Sequence, residues 1–155
     1  MNIYRAKPNT IPWPPIITAA AILLSVLLGT VYAPALPDSA LVRLFGAALA
    51  VTAIYLVVWA VVTMVAAQTT VLSHRKSDHL VTAGPFTITR NPICLGQLML
   101  VAGLGLVTTN GWFLIFTVIT GICLYRLGIR REERHLLARF GAEYEFYCRR
   151  VRRWI

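Results

Sequence analysis

The chain has 155 residues, 57% of them hydrophobic and 14% charged, with a net charge of +9. A soluble domain would carry about a quarter charged residues, so a water-soluble globule is excluded and one integral membrane domain over residues 1–155 is expected. The Lys and Arg residues crowd into Arg5–Lys7, Arg75–Arg90 and Arg126–Arg153. Beside several apolar spans, that pattern reads as positive-inside bias and attraction to anionic headgroups rather than nucleic-acid binding.

Arg5 and Lys7 followed by an apolar run resemble a signal peptide in part. Cleavage after Ala33 would leave Pro34 just beyond the cut, which is unfavourable, and the run is long enough to span. It is expected to be a retained first helix over about residues 16–32, preceded by Pro12, Pro14 and Pro15. Pro34, Pro37 and Asp38 predict a short turn. A second helix is expected over about 41–71, its apolar stretch Leu44–Ala67 ample for a hydrocarbon layer of about 30 Å. Gly46, Ala50 and Ala53 share one of its faces and permit close approach of another helix, or self-association; the oligomeric state stays open.

A polar loop over 72–92 comes next, then two short apolar helices over about 93–107 and 112–126, joined at Thr108–Gly111 as a hairpin. Four crossings put the N-terminus, the loop and the tail on one side, and their positive charge makes that side cytoplasmic. From about 128 to 155 the chain reads as an amphipathic helical tail with Phe140, Tyr144, Tyr147 and Val151 as its apolar stripe. Gly141 is expected to break it, and the stripe to lie along the headgroups or over the loop. The fold class is all-α: a polytopic membrane protein with about four transmembrane helices and an amphipathic C-terminal tail.

Chemistry concentrates in Leu80–Gly96, where a Gly-Pro-punctuated loop runs into a helix opening with Arg90-Asn91-Pro92. Proline at the first helical position loses no hydrogen bond, and Asn91 is the natural N-cap. Backbone N–H groups and the Arg90 guanidinium then converge on a ready site for a carboxylate or phosphate. Glu132 and Glu133 have two readings. They form surface ion pairs with Arg126, Arg130, Arg131 and Arg134, or one of them turns inward to bind an ammonium or ribose hydroxyl. His74, His79, Ser73 and Ser77 form no nucleophilic triad, Cys94, Cys123 and Cys148 have no metal-ligand spacing, and no dinucleotide-binding glycine motif follows a strand. Gly103-Leu104-Gly105 reads as helix packing.

Leu80–Gly96, then Glu132-Glu133-x-x-Leu136, Phe140-Gly141-x-Glu143-Tyr144, Ile11-Pro12-x-Pro14-Pro15 and the closing Arg150–Trp154 strongly resemble the isoprenylcysteine carboxyl methyltransferase family, in its bacterial form. That family is related to the phospholipid N-methyltransferases. The resemblance implies an S-adenosylmethionine-dependent enzyme of the bacterial inner membrane, its active site facing the cytoplasm and transferring methyl to a lipophilic small-molecule, prenylated or lipid acceptor. Carboxyl O-methylation is the first expectation; a lipid amine or thiol would need a base, for which Glu133 and His79 stand nearest. By carry-over, His79, Leu80, Val81, Gly84 and Phe86 would line the cofactor. Arg90, Asn91, Pro92, Ile93 and Cys94 would hold it at the helix mouth, and Glu132 would take its polar end. Cys94 stands where the family has tyrosine. The eukaryotic substrate arginine falls on Gly128, so Arg126 or Arg130 is assigned its role, with Glu133 as the third catalytic residue. No metal is implied. Membrane lipids are the expected surroundings, and the acceptor would enter sideways between the second helix and the hairpin. Two other readings are a non-catalytic adaptor with a lipid-binding basic tail and an NADPH-dependent sterol-type reductase, for which this chain is too small.

Overall fold

A computed structural model describes residues 13–67 and 80–154. The expected helix over 68–71 and His79 lie outside the described residues, as do residues 72–78 of the loop.

Helices dominate what is described: α1 (Trp13–Val31), α2 (Ala40–Ala66), α3 (Pro92–Thr108), α4 (Gly111–Cys123), α5 (Arg130–Phe140) and α6 (Ala142–Arg150). Ser39 caps α2 by accepting from the Val42 N–H at 3.2 Å. Among the described residues, three helical stretches are long and apolar enough to cross a membrane: Trp13–Val31, Ala40–Ala66 and the continuous Gly111–Phe140. The 17-residue α3 is shorter, about 26 Å at 1.5 Å per residue.

The last of these stretches corrects the expected boundaries. The helix opened at Gly111 does not stop near residue 126; it passes through a π-helical turn over Leu124–Ile129 into α5. The change from apolar to charged residues at Arg126 marks a change of surroundings, with no proline there to stop the helix. Single π turns are rare and recur at functional sites. This one re-aims every side chain that follows, Glu132 and Glu133 included.

The α2–α3 seam is where the expected small-residue face is used. A Cβ on Gly103 would lie 2.8 Å from the Gly46 carbonyl oxygen and 2.9 Å from the Ala50 nitrogen, and one on Gly96 would lie 3.0 Å from the Ala53 carbonyl. Backbone meets backbone along this line, as small residues permit in lipid. Gly46, Ala50 and Ala53 are thus engaged within the chain.

The far end of the bundle is tied by the α3–α4 turn. Asn110 caps α4 through the Trp112 N–H, donates its amide to the Ser25 carbonyl at 3.1 Å, and is followed by Gly111, whose N–H reaches the Pro34 carbonyl at 2.8 Å. At the other end Gly141 (φ 51°) breaks α5 from α6, as its position predicts. The stripe of α6 packs over the loop: Tyr144, Tyr147 and Val151 form a buried cluster against Leu80, Phe86, Leu136 and Phe140.

Candidate functional site

The site forms where the loop, α5 and the C-terminal segment meet. Gly84, at φ 60°, opens a 3-10 turn over Gly84–Thr87. A Cβ there would sit 2.7 Å from the Thr63 hydroxyl, so glycine lets the loop lie directly on α2. From this seat the chain runs through buried Thr89 to Arg90, Asn91 and Pro92, the first residue of α3.

Asn91 stands at the N-cap, but its side chain does not cap; it donates to the Arg153 carbonyl at 3.2 Å. The Thr89 hydroxyl donates to the same carbonyl at 3.1 Å, and the Arg90 N–H donates to the Arg152 carbonyl, also at 3.1 Å. Three consecutive residues therefore latch the end of the tail by its backbone. The Tyr147 hydroxyl adds a fourth tie, donating to the Phe86 carbonyl at 2.7 Å.

Within this frame Glu133 is gripped from two sides. Arg153 binds it with two parallel hydrogen bonds of 2.8 Å, and Arg90 Nη1 approaches to 3.3 Å. The Glu133 side chain is only 17% exposed and that of Arg90 13%. The same Arg90 nitrogen donates to Cys148 Sγ at 2.6 Å, while the Arg90 Nε is buried without a hydrogen-bond partner among the described residues. Arg153 also lies over the Tyr125 ring, 5.3 Å from its centroid. The ion pairs expected between Glu133 and neighbouring arginines of its own helix give way to partners from the loop and the tail.

Two hollow spaces adjoin this cluster. A small cavity of about 60 Å³ is lined by Met64, Leu80, Val81, Phe86, Arg90, Asn91, Glu132, Glu133, Leu136, Tyr144 and Tyr147. A wider cleft of about 650 Å³ is lined by Arg90, Tyr125, Arg130, Glu133, Arg134, Leu137, Tyr144, Glu145, Cys148, Arg149 and Arg153. Arg90, Glu133 and Tyr144 belong to both and form the wall between them. Burial, with Cys148 and Glu133 nearby, raises the Tyr144 phenol well above its usual range. Burial likewise pushes Tyr147 up to about 12, against the lowering effect of Arg90. Both phenols are neutral donors across the physiological range.

Of the residues singled out from sequence, Leu80, Val81, Phe86, Arg90, Asn91, Glu132 and Glu133 line the small cavity together. Gly84 faces α2, and the Cys94 side chain packs into a cluster with Leu124 and Ile129. Pro92 and Ile93 open α3 without lining either space. Arg130 lines the cleft; Arg126 is exposed and lines neither. A Cβ on Gly128 would meet open space, so the backbone there leaves room for a side chain. Sequence reasoning missed Met64, Leu136, Tyr144, Tyr147, Cys148 and Arg153 as parts of the site. The aromatic stripe of the tail was the available signal for the tyrosines, the Glu132–Leu136 motif for Leu136, and the closing Arg150–Trp154 motif for Arg153. Among the described residues, no three His, Cys, Asp or Glu side chains converge where they could hold a metal ion.

Residues 41–143 match the family model for phospholipid methyltransferases. Among characterised proteins, the nickel-cobalt-cadmium resistance protein NccN of Alcaligenes xylosoxydans xylosoxydans is 34% identical over 80 residues. The cobalt-zinc-cadmium resistance protein CzcN of Cupriavidus metallidurans is 33% identical over a stretch of the same length. Each alignment covers 52% of this chain and 37% of the relative, so the similarity spans little more than a third of those proteins. No solved structure matches.

Proposed function

Since the chain belongs to the phospholipid methyltransferase family, we propose that it is a membrane methyltransferase that draws methyl groups from S-adenosylmethionine and places them on a lipophilic acceptor. The observation that carries this reading is the pairing of opposite charges on one small cavity. Arg90 presents a buried Nε with no hydrogen-bond partner among the described residues, and Glu132 lines the same cavity. A zwitterionic amino-acid group matches that pair, its carboxylate on the guanidinium and its ammonium on the glutamate. Bound there, the donor supplies an activated methyl on a sulfonium, open to in-line displacement.

The protein's own part is alignment and exclusion of water. Asn91 and the loop are held by the latched tail, which fixes Arg90 in place. Phe86, Leu136 and Tyr147 give the cavity a largely apolar wall. Glu133 is committed to Arg153 and Arg90, so it is poorly placed to take a proton from an acceptor. That favours an acceptor that arrives already deprotonated, a carboxylate before an amine or thiol. The side-on approach expected between the second helix and the hairpin is closed along the α2–α3 seam, where Gly46, Gly96 and Gly103 bring the two backbones together.

The test is a titration of detergent-solubilised protein with S-adenosylhomocysteine and, separately, NADPH. Stabilisation by the first alone is expected, with Glu132→Gln weakening it at least tenfold while membrane insertion is retained. Stabilisation by neither, or equal binding by the variant, refutes the assignment. Incubating membranes with labelled methyl donor and extracting the lipids then identifies the acceptor.

A further inference from the structure

Arg153 touches the site with its main chain and its side chain at once. Its carbonyl accepts from Thr89 and Asn91, the two neighbours of Arg90, whose own N–H is bound to the Arg152 carbonyl. Its Nε and Nη2 donate to the two oxygens of Glu133 at 2.8 Å each, and its guanidinium lies over the Tyr125 ring. One short stretch of tail therefore fixes the Arg90 backbone and also the carboxylate that faces the Arg90 side chain. That side chain is unevenly matched. Nη1 has Glu133 Oε1 at 3.3 Å and Cys148 Sγ beside it, whereas Nε is buried without a hydrogen-bond partner among the described residues. An arginine and a carboxylate this close commonly form two parallel bonds, one from each of two nitrogens. Glu133 does not offer that arrangement to Arg90, because its two oxygens already receive the fork of Arg153. With the Arg90 side chain only 13% exposed, water is a poor substitute for the missing partner.

We infer that Arg153 is a positioning residue for donor binding: by occupying Glu133, it keeps the Nε of Arg90 available for the carboxylate of the ligand. The ligand in this inference comes from the donor reading of the small cavity; the sharing of Glu133 comes from the geometry alone. Two guanidinium groups divide one carboxylate, and the inner one is left with bonding capacity to spare. Without Arg153, Glu133 turns both oxygens to Arg90, covers Nε, and competes with any anion that arrives there. The loss of a distant residue then acts through Arg90, although Arg153 itself does not line the small cavity.

The test joins calorimetric titration of the detergent-solubilised full chain with S-adenosylhomocysteine to a nitrogen–proton NMR spectrum of its arginine Nε–H groups. Arg153→Gln should weaken binding about tenfold or more, the size of one hydrogen bond to a charged group. Adding Glu133→Gln removes the competitor and should bring affinity back to within about threefold of the parent. The same second substitution should lower the thermal midpoint further, since it breaks the remaining Arg90–Glu133 pair. A purely structural role for Arg153 would instead move affinity and midpoint in the same direction. Arg149→Gln removes one charge from the neighbouring cleft and should weaken binding less than about threefold. In the spectrum, the Arg90 Nε–H signal, assigned by its loss in Arg90→Gln, should shift downfield in Arg153→Gln and return in the double variant. A parent that binds normally, with no recovery in the double variant or no shift of that signal, would overturn the role of Arg153. Equal weakening by Arg149→Gln would overturn it too, as an effect of charge alone. A parent that does not bind S-adenosylhomocysteine would overturn the donor reading and this role with it.

Discussion

Glu133→Gln isolates the ion cluster at the centre of the site while keeping the side chain's shape. Removing one partner of a fully buried ion pair costs about 3–5 kcal/mol, and an exposed pair contributes about 0–1 kcal/mol. Glu133 lies near the buried limit, 17% exposed, with Arg90 at 13% and Arg153 at 35%. The amide also leaves two guanidinium groups facing each other without a counter-charge. A loss of about 2–3 kcal/mol follows, between those bounds, and at about 2–4 °C per kcal/mol for a chain of this size the midpoint falls by roughly 5–10 °C. Thermal unfolding in detergent, followed by tryptophan fluorescence, reads it. A double-mutant cycle with Arg153→Gln should return a coupling of about 1–2 kcal/mol. The molecule carries its own control. Arg43 holds Asp38 with equally good geometry, 2.7 and 2.9 Å, but both side chains are more than half exposed, so Asp38→Asn should leave the midpoint unmoved. If both variants unfold together, burial is not what gives the Glu133 cluster its strength.

Tyr147 and Gly103 give two further expectations. The Tyr147 phenol is raised to about 12 in the fold from an ordinary value of 10, so the unfolded chain releases its proton first. The stability it contributes is present below pH 10 and is lost as pH rises through 12. Tyr147→Phe should flatten the alkaline limb of a midpoint-against-pH curve, and cost about 1 kcal/mol at neutral pH through the lost bond to the Phe86 carbonyl. Gly103→Val forces a branched side chain against the α2 backbone, where even a Cβ lies 2.8 Å from the Gly46 oxygen. It should cost about 1–3 kcal/mol in the same unfolding assay; a neutral result would mean that α2 and α3 are free to move apart.

The parts of this fold that could be read from sequence are those governed by local sterics or by spacing. Gly141 ends α5 because a left-handed turn suits glycine, and Gly46, Ala50 and Ala53 receive α3 because small residues at helical spacing leave a groove. The stripe Phe140–Tyr144–Tyr147–Val151 found the loop, one of the two places open to it. What could not be read depends on tertiary position. Glu133 had four arginines close by in sequence and bound Arg153, twenty residues away, and Arg90 instead. Asn91 had the right identity for a cap, yet a carbonyl from the tail claimed its amide. At Arg126 the onset of charge looked like the end of a helix. Hydrophobicity reports the solvent around a helix, and the backbone continued through a π turn regardless.

The latch at Arg152 and Arg153 receives its hydrogen bonds at main-chain oxygens. Replacing the tail's side chains one at a time, as scanning mutagenesis does, leaves those acceptors where they are. Such a survey would score most of this closure as dispensable, and only proline insertion, an ester in place of the amide, or a shift of the chain by one residue would expose how firmly it holds the enclosure shut.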